Sequence, residues 1–323
     1  MNKMYAVTLK TLAPVFIGSG TTLKNNQYVY DKKKQIVKIV DEIKLIKVLQ
    51  KQKAFGSFSA EQSQGRGLRE LKEFLAKKGI DEDAVASRVL EIKPLTNREK
   101  PMNYLHLFIR GGDNRAYIPG SSLKGALRTC LLSRSSEDTK DNNIFRHLLI
   151  SDSNLVADSD FAIYQKIDYS KIEKGMPVYR ECIKPNVEVK FTLMINTDSA
   201  GKEVIDLAKI KNAIQDTFKS YHTWAGAVRK NLNHGNEHNR HIIYLGGGAG
   251  FVSKTLHYKE KDVATAREDI KAIFMKNQQF EKVYGQINDP NANIPLAIKL
   301  APVAYKTFSE MGKCELFFEE VQL

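Results

Sequence analysis

Between Ile118 and Cys130 the chain reads IPGSSLKGALRTC, which puts two hydroxyls, a lysine and an arginine around one helix start. Pro119 and Gly120 close an extended segment, Ser121 or Ser122 is a good N-cap, and the spacing predicts a helix to about Leu132. Leu123, Ala126, Leu127, Cys130 and Leu131 recur with helical period and form an apolar stripe. Lys124 and Arg128 lie beside that stripe, one turn apart. Like charges at i,i+4 cost about 0.2–0.5 kcal/mol, and a cation in the first turn opposes the helix dipole. A phosphate held by the serine hydroxyls, the free N–H groups and the two cations would reverse both penalties. A strand-to-helix turn with a solvated basic face has the same pattern, so these residues alone leave both readings open.

A second group lies late in the chain, in YLGGGAGFVSKT, with Gly246, Gly247, Gly248 and Gly250 ahead of Lys254. From Gly248 to Thr255 it is one residue from the nucleotide-binding pattern GxxxxGK[ST], with IIYL before it as the strand and Asp152 as a possible metal-holding acid. Ser253 replaces the glycine that lets such a loop wrap phosphates, and the acid precedes the loop instead of following it. Lys254 therefore reads better as a backbone contact than as part of an ATPase or GTPase. His234, His238 and His241 have ligand-like spacing, but their segment is polar and has no apolar period to fix the rings, the pattern of a solvated loop. His106 and His222 sit in apolar surroundings and read as core histidines, and Asp31 reads as a turn former among lysines. Nothing points to a positioned general base, so no catalytic residue, metal ligand or cofactor is assigned.

The whole chain favours a polyanionic partner. It has 323 residues, a formal charge of +13 and a pI near 9.4, high values for an enzyme of small molecules. Its apolar content is that of a globular protein with room for two domains. No apolar run approaches a membrane span, and MNKMYAVTLK lacks the apolar region of a signal peptide. Cys130, Cys182 and Cys314 are isolated from one another, as buried thiols of a cytoplasmic protein would be.

Strands and helices must position these groups. MYAVTLKTL is a strand and APVFIGSG leads it into a glycine turn; QYVYD and QIVKIV form a hairpin, and Asp41 caps a helix. Nine lysines face three acids between Thr22 and Ala54, and GSFSAEQSQGRG after them reads as a loop. GLRELKEFLAKKG is helical, and RVLEIKPL, YLHLFIR, HLLISDS and DFAIYQKIDY are strands. YRECIKPNVEVKFTLMIN is the clearest extended segment, with Val187, Val189, Phe191, Leu193 and Ile195 alternating. The pattern then turns helical in VIDLAKIKNAIQDTFKSYHTWAGAVRK, which suggests a domain boundary near Asp198, with more helix and a short strand at the end.

Three features now coincide: a first strand running into PVFIGSG, the helix start IPGSSLKGALRT, and the late loop GGGAGFVSKT. Together they resemble the RAMP superfamily, the repeat-associated RNA-binding proteins of CRISPR systems, and YRECIKPNVEVKFTLMI is similar to the strand that follows the basic helix in that family. Order, spacing and the late loop look most like the backbone subunit at the 3′ end of the guide RNA in the type III-A (Csm) interference complex. The match is most specific at IPGSSLKGALRT; residues 51–100 and 259–290 add nothing to it.

The resemblance implies an α+β fold of two ferredoxin-like, RNA-recognition-like βαββαβ domains, the second degenerate. Residues 1–198, with a helical insertion, would be the first and residues 199–323, with the glycine-rich loop, the second. It implies RNA backbone contacts from Ser121, Ser122, Lys124 and Arg128, a groove beside Gly18, Ser19 and Gly20, and a glycine-rich loop of Gly246, Gly247, Gly248 and Gly250 with Lys254 beyond. Glycines let a backbone approach phosphate closely, and lysines track a single strand without reading bases. The implied role is a non-catalytic subunit that binds guide RNA near its 3′ end, caps the backbone filament and supports guide maturation in antiviral defence. The implied partners are that RNA, neighbouring RAMP subunits and a host trimming nuclease; a RAMP endoribonuclease is the enzymatic alternative. The aromatic signature with which RNA-recognition modules stack bases is absent.

Overall fold

A computed structural model describes residues 2–63, 71–93, 102–132, 144–169, 178–228, 237–255, 261–287, 294–295, 298–304 and 307–322. Strands β1 (Lys3–Thr11), β2 (Gly18–Lys24), β3 (Tyr28–Asp31) and β4 (Ile36–Val40) lead into helices α1 (Glu42–Lys51), α2 (Phe55–Ser63), α3 (Leu71–Lys77) and the single turn α4 (Glu82–Val85). Then come β5 (Ala86–Glu91), β6 (Tyr104–Phe108), α5 (Gly120–Leu131), β7 (Leu148–Ile150), β8 (Phe161–Tyr169), β9 (Val178–Ile183) and β10 (Glu188–Ile195). Helix α6 (Leu207–Val228), β11 (Ile242–Tyr244), α7 (Val263–Met275), α8 (Gln278–Tyr284), β12 (Ile298–Ala304), β13 (Thr307–Glu310) and β14 (Lys313–Val321) follow.

The first sheet has the order β11-β14-β1-β10-β7 and is antiparallel at every pairing. Its path β1, α5, β7, β10, α6, β14 is a βαββαβ unit, with β11 added at one edge. The alternation in β1 and β10 is the cause: Tyr5, Val7 and Leu9, with Val189, Phe191, Leu193 and Ile195, all point to one buried side. Leu123 and Leu127 of α5 and Ile210 and Ile214 of α6 join them in one core, each worth about 1.5–3 kcal/mol when removed from water. Asp198 lies between β10 and α6 of this unit, so the unit draws its second helix and last strand from one side of that position and the rest from the other.

The second sheet has the order β13-β12-β8-β9-β6-β2, with β6 and β9 parallel. A third, β3-β4-β5, packs with α1 and α3 around Leu45, Leu49, Leu71, Phe74 and Leu75. Asp41 caps α1 by accepting from the Lys44 amide at 3.0 Å. Asp31 is the turn former expected, its Oδ1 accepting from the amides of Lys33 and Lys34 at 3.0 and 3.2 Å.

Four local readings are corrected. The stretch 56–67, expected as loop, is helix α2 as far as Ser63, its remaining residues lying outside the described ones; α2 buries no residue fully, but Phe58 meets Phe74 edge-on at 5.3 Å, and one aromatic anchor gives too little periodicity to read. The glycine turn after Ile17 is strand β2, which pairs with β6 through an irregular register between Gly18 and Thr22. The long extended segment is two strands in different sheets, split where Asn186 takes φ 66°. The short strand at the end is three strands, of which β12 pairs with β13, while β14 pairs with β1. Cys130, Cys182 and Cys314 are buried, and none of them is in a disulfide.

Candidate nucleic-acid interface

Helix α5 begins at Gly120, and its N-cap is Pro119, not a serine. The reason is steric: a Cβ at Gly120 would stand 2.4 Å from the carbonyl oxygens of Ile150 and Ser151, so the helix starts at a glycine where the chain passes close against the end of β7. The Gly120 N–H donates to Asp152 Oδ1 at 2.8 Å, which already places a carboxylate at the helix start. Asp152, considered above as a metal-holding acid, thus has a structural task. Ser121 is exposed and Ser122 half-buried, and neither hydroxyl makes a hydrogen bond in the described structure; nor does the ammonium of half-buried Lys124. Exposed Arg128 stacks over Phe145 at 5.3 Å, so part of its charge is spent on a ring face.

The glycine residues meet around Phe16. The Gly247 N–H donates to Phe16 O at 2.6 Å, and a Cβ on Gly246, whose φ is 78°, would stand 2.1 Å from that oxygen. The Phe16 ring lies 3.2 Å from where a Cβ of Gly18 would be. The structure therefore joins Gly18 to Gly246 and Gly247 through one phenylalanine that the sequence had not singled out. Ser19 and Gly20 continue along β2; Ser19 Oγ donates to Leu107 O at 3.2 Å, and Gly20 takes φ 85° in open space. Helix α5 reaches this region through β11, against which it packs.

Beneath the loop runs a cationic face of the second sheet. Arg180 on β9 lies beside His106 of β6 and opposite Tyr164 of β8. Two and four residues along β8 from Tyr164 stand Lys166 and Asp168, on the same side by alternation, and Asp168 Oδ1 bridges Lys166 Nζ at 3.0 Å and Lys299 Nζ at 2.8 Å. The Arg180 guanidinium stacks over the Phe16 ring at 4.9 Å. Its Nη1 occupies the space over Gly248, where a Cβ would come within 2.1 Å of it. Desolvation holds Arg180, Lys166 and Lys254 below their ordinary pKa values, with Arg180 itself adding to the shift of both lysines. His106 is pushed down by burial, then by Arg180 and Lys166.

Arg180, Lys166, Lys299, His106 and Phe16 were missed because each stands in a strand or turn that reads as core. The available signal was charge at the inward positions of DFAIYQKIDY and YRECI. Lys254 lies in a single 3-10 turn, Val252–Lys254, where nucleotide-binding loops open a full helix, and Ser253 Oγ donates to Ala249 O at 2.7 Å. Among the described residues no three His, Cys, Asp or Glu side chains gather as a metal site. His234 and the side chain of His238 lie outside the described residues. His241 stands edge-on to Phe318 at 6.0 Å.

A family model for the RAMP superfamily matches residues 8–253, and the CRISPR system Cms protein Csm5 of Enterococcus italicus is 34% identical across 99% of both chains. The chain belongs to the RAMP superfamily and, within it, to the Csm5 family. Csm5 of Streptococcus thermophilus is 26% identical across 99% of this chain and 98% of its own. Two solved structures share the fold of this Csm5-family chain at 16% identity. The crystal structure of T. onnurineus Csm5 superposes with a TM-score of 0.64 over 95% of this chain and 99% of its own. A chain in the cryo-EM structure of a Csm-crRNA-target RNA ternary complex of a type III-A CRISPR-Cas system superposes with a TM-score of 0.67 over 99% and 100%. Among the described residues, no helix of this α+β fold is long and apolar enough to cross a membrane.

Proposed function

We propose that this protein is the guide-RNA-binding, non-catalytic subunit that ends the backbone of a type III-A CRISPR ribonucleoprotein. The observation that carries the proposal is the full-length likeness to a Csm5 protein of a CRISPR system. The +13 charge and the free hydroxyls and ammonium at the start of α5 support it, as does a glycine loop set over cations. In this reading Ser121, Ser122, Lys124 and Arg128 contact RNA phosphates, and Gly18 to Gly20 with Gly246 to Gly250 and Lys254 let the strand pass close to the backbone. Placement at the 3′ end of the guide, capping of the filament, contact with neighbouring RAMP subunits and recruitment of a host nuclease that trims the guide come from the family resemblance.

The test is to purify the assembled complex with wild-type protein and with Lys124→Ala/Arg128→Ala, and to sequence both ends of the bound guide. The proposal expects guides altered at the 3′ end alone. Guides altered at the 5′ end alone would move the protein to the other end of the complex, and phosphate release from ATP abolished by Lys254→Ala would make it a nucleotidase instead.

A further inference from the structure

Among the described residues Arg180 is a cation that no carboxylate contacts. Its Nε and Nη1 are shielded from solvent and make no hydrogen bond in the described structure, although the Phe16 face covers one side of the guanidinium. Leaving such donors unmade is costly, and a desolvated guanidinium normally finds a carboxylate. The nearby carboxylate, Asp168, is held instead between Lys166 and Lys299. Among the described residues the surroundings therefore hold four cations, Arg180, Lys166, Lys299 and Lys254, against one acid. The backbone over them is the glycine loop, with φ of 78°, 92° and 97° at Gly246, Gly248 and Gly250, and the missing side chain of Gly248 is what lets the Arg180 guanidinium lie against that backbone, beside Met311 Sδ.

We propose that Arg180, flanked by Lys166, Lys254 and Lys299 and roofed by Gly248, is a phosphate-binding subsite that takes one phosphate group of a nucleic acid. A planar guanidinium offers a fork of donors matched to two oxygens of a tetrahedral phosphate, and the lysines supply point charges around it. An apolar or neutral ligand would leave the excess charge uncompensated, and a base carries no charge to meet it. The subsite rests on the RNA reading only for the source of its phosphate, an internal phosphodiester or a terminal phosphate.

The first experiment uses no RNA. The melting temperature of the intact protein is measured in inorganic phosphate and in chloride at equal ionic strength, for wild type, Arg180→Met and Lys254→Gln. Phosphate should raise the melting temperature of wild type, raise that of Lys254→Gln less, and leave that of Arg180→Met unchanged. Arg180→Met replaces the guanidinium over the Phe16 ring with an apolar thioether and removes a desolvated charge, so in chloride it should melt no lower than wild type. Wild type that ignores phosphate, or a gain equal in all three forms, would overturn the subsite. Should Arg180→Met fail to fold, an undiminished gain in Lys254→Gln and Lys166→Gln overturns it equally well. The second experiment measures affinity for single-stranded RNAs ending in 3′-hydroxyl, 3′-phosphate or 5′-phosphate, with Arg180→Met expected to weaken binding about tenfold. Equal affinities in wild type assign the subsite to an internal phosphodiester, and preference for one phosphorylated end assigns it to that terminus. A phosphate response without any RNA binding would keep the subsite and reject the RNA reading.

Discussion

Arg180 and Glu181 are consecutive on β9 and project to opposite sides of the second sheet, one with donors to spare and the other saturated. Glu181 is fully buried and accepts from Arg88 Nε at 3.1 Å, Arg88 Nη2 at 3.0 Å, Arg110 Nη2 at 3.0 Å and the Phe108 amide at 3.0 Å. Arg110 is further tied to Asp158 at 2.7 Å. Arg88 belongs to β5, so this carboxylate also joins the small third sheet to the second.

Glu181→Ala should therefore be among the most damaging single changes in the protein. It leaves two arginines, 9% and 11% exposed, without their shared anion, at a cost of about 3–5 kcal/mol. Urea denaturation checks it. A cost below about 1 kcal/mol would place the pair among surface ion pairs.

His106 gives the pH dependence. Burial, Arg180 and Lys166 hold its imidazole below the ordinary value of 6.5, while Thr22 Oγ1 lies 3.0 Å from Nδ1 and Phe16 stands edge-on at 6.5 Å. The unfolded chain thus takes up its proton first as pH falls. Stability is full above the ordinary value, declines as pH drops below it, and stops declining once the folded imidazole is also charged. Melting temperatures of wild type and His106→Gln should run parallel at neutral pH and converge or cross on acidification, wild type losing more. Parallel curves throughout would remove His106 as the cause.

Two glycines with similar φ should respond differently to a methyl group. Gly20→Ala, at φ 85° with nothing nearby, meets only the left-handed backbone penalty of about 1–2 kcal/mol. Gly246→Ala meets that penalty and the Phe16 carbonyl 2.1 Å from its Cβ, so it should cost more and should loosen the loop over Arg180. Equal losses of melting temperature would mean that the loop yields freely at Phe16.

The basic helix should separate stability from binding. Lys124→Ala removes an unpaired cation near a helix start and should leave the melting temperature unchanged or slightly raised. Arg128→Ala loses a ring contact worth about 0.5–1 kcal/mol. Both should weaken single-stranded RNA binding, whose affinity should fall with salt at a log–log slope of about −0.7 per phosphate contacted, shallower in the double variant. An unchanged slope would make α5 an ordinary capped helix.

The sequence made single elements legible where period and face agreed: β1, β10, α5 and α6 each carry an alternation or stripe that ends up buried in one core. It could not show that β1 lies between β10 and β14, because strand order depends on pairings between residues as distant as Met4 and Val321. The serine N-cap failed because Gly120 is set by contact with β7, a tertiary constraint invisible to local propensity. The glycine loop was legible as a loop, whereas Phe16 and Arg180, which give it a floor, are separated from it in sequence and share its space only through the sheets.

The pairing of β1 with β14 also sets an order of events during synthesis. β1 is made before both of its partners and can find β10 once residues 188–195 have left the ribosome, but its other edge has no β14 to pair with until residues 313–321 emerge. For that interval the nascent chain exposes a strand edge able to pair with another chain, the exposure that makes slow, non-local sheets prone to aggregate. Any partner or chaperone that covers the far edge of β1 during translation would thus govern the yield of folded protein without altering its final stability.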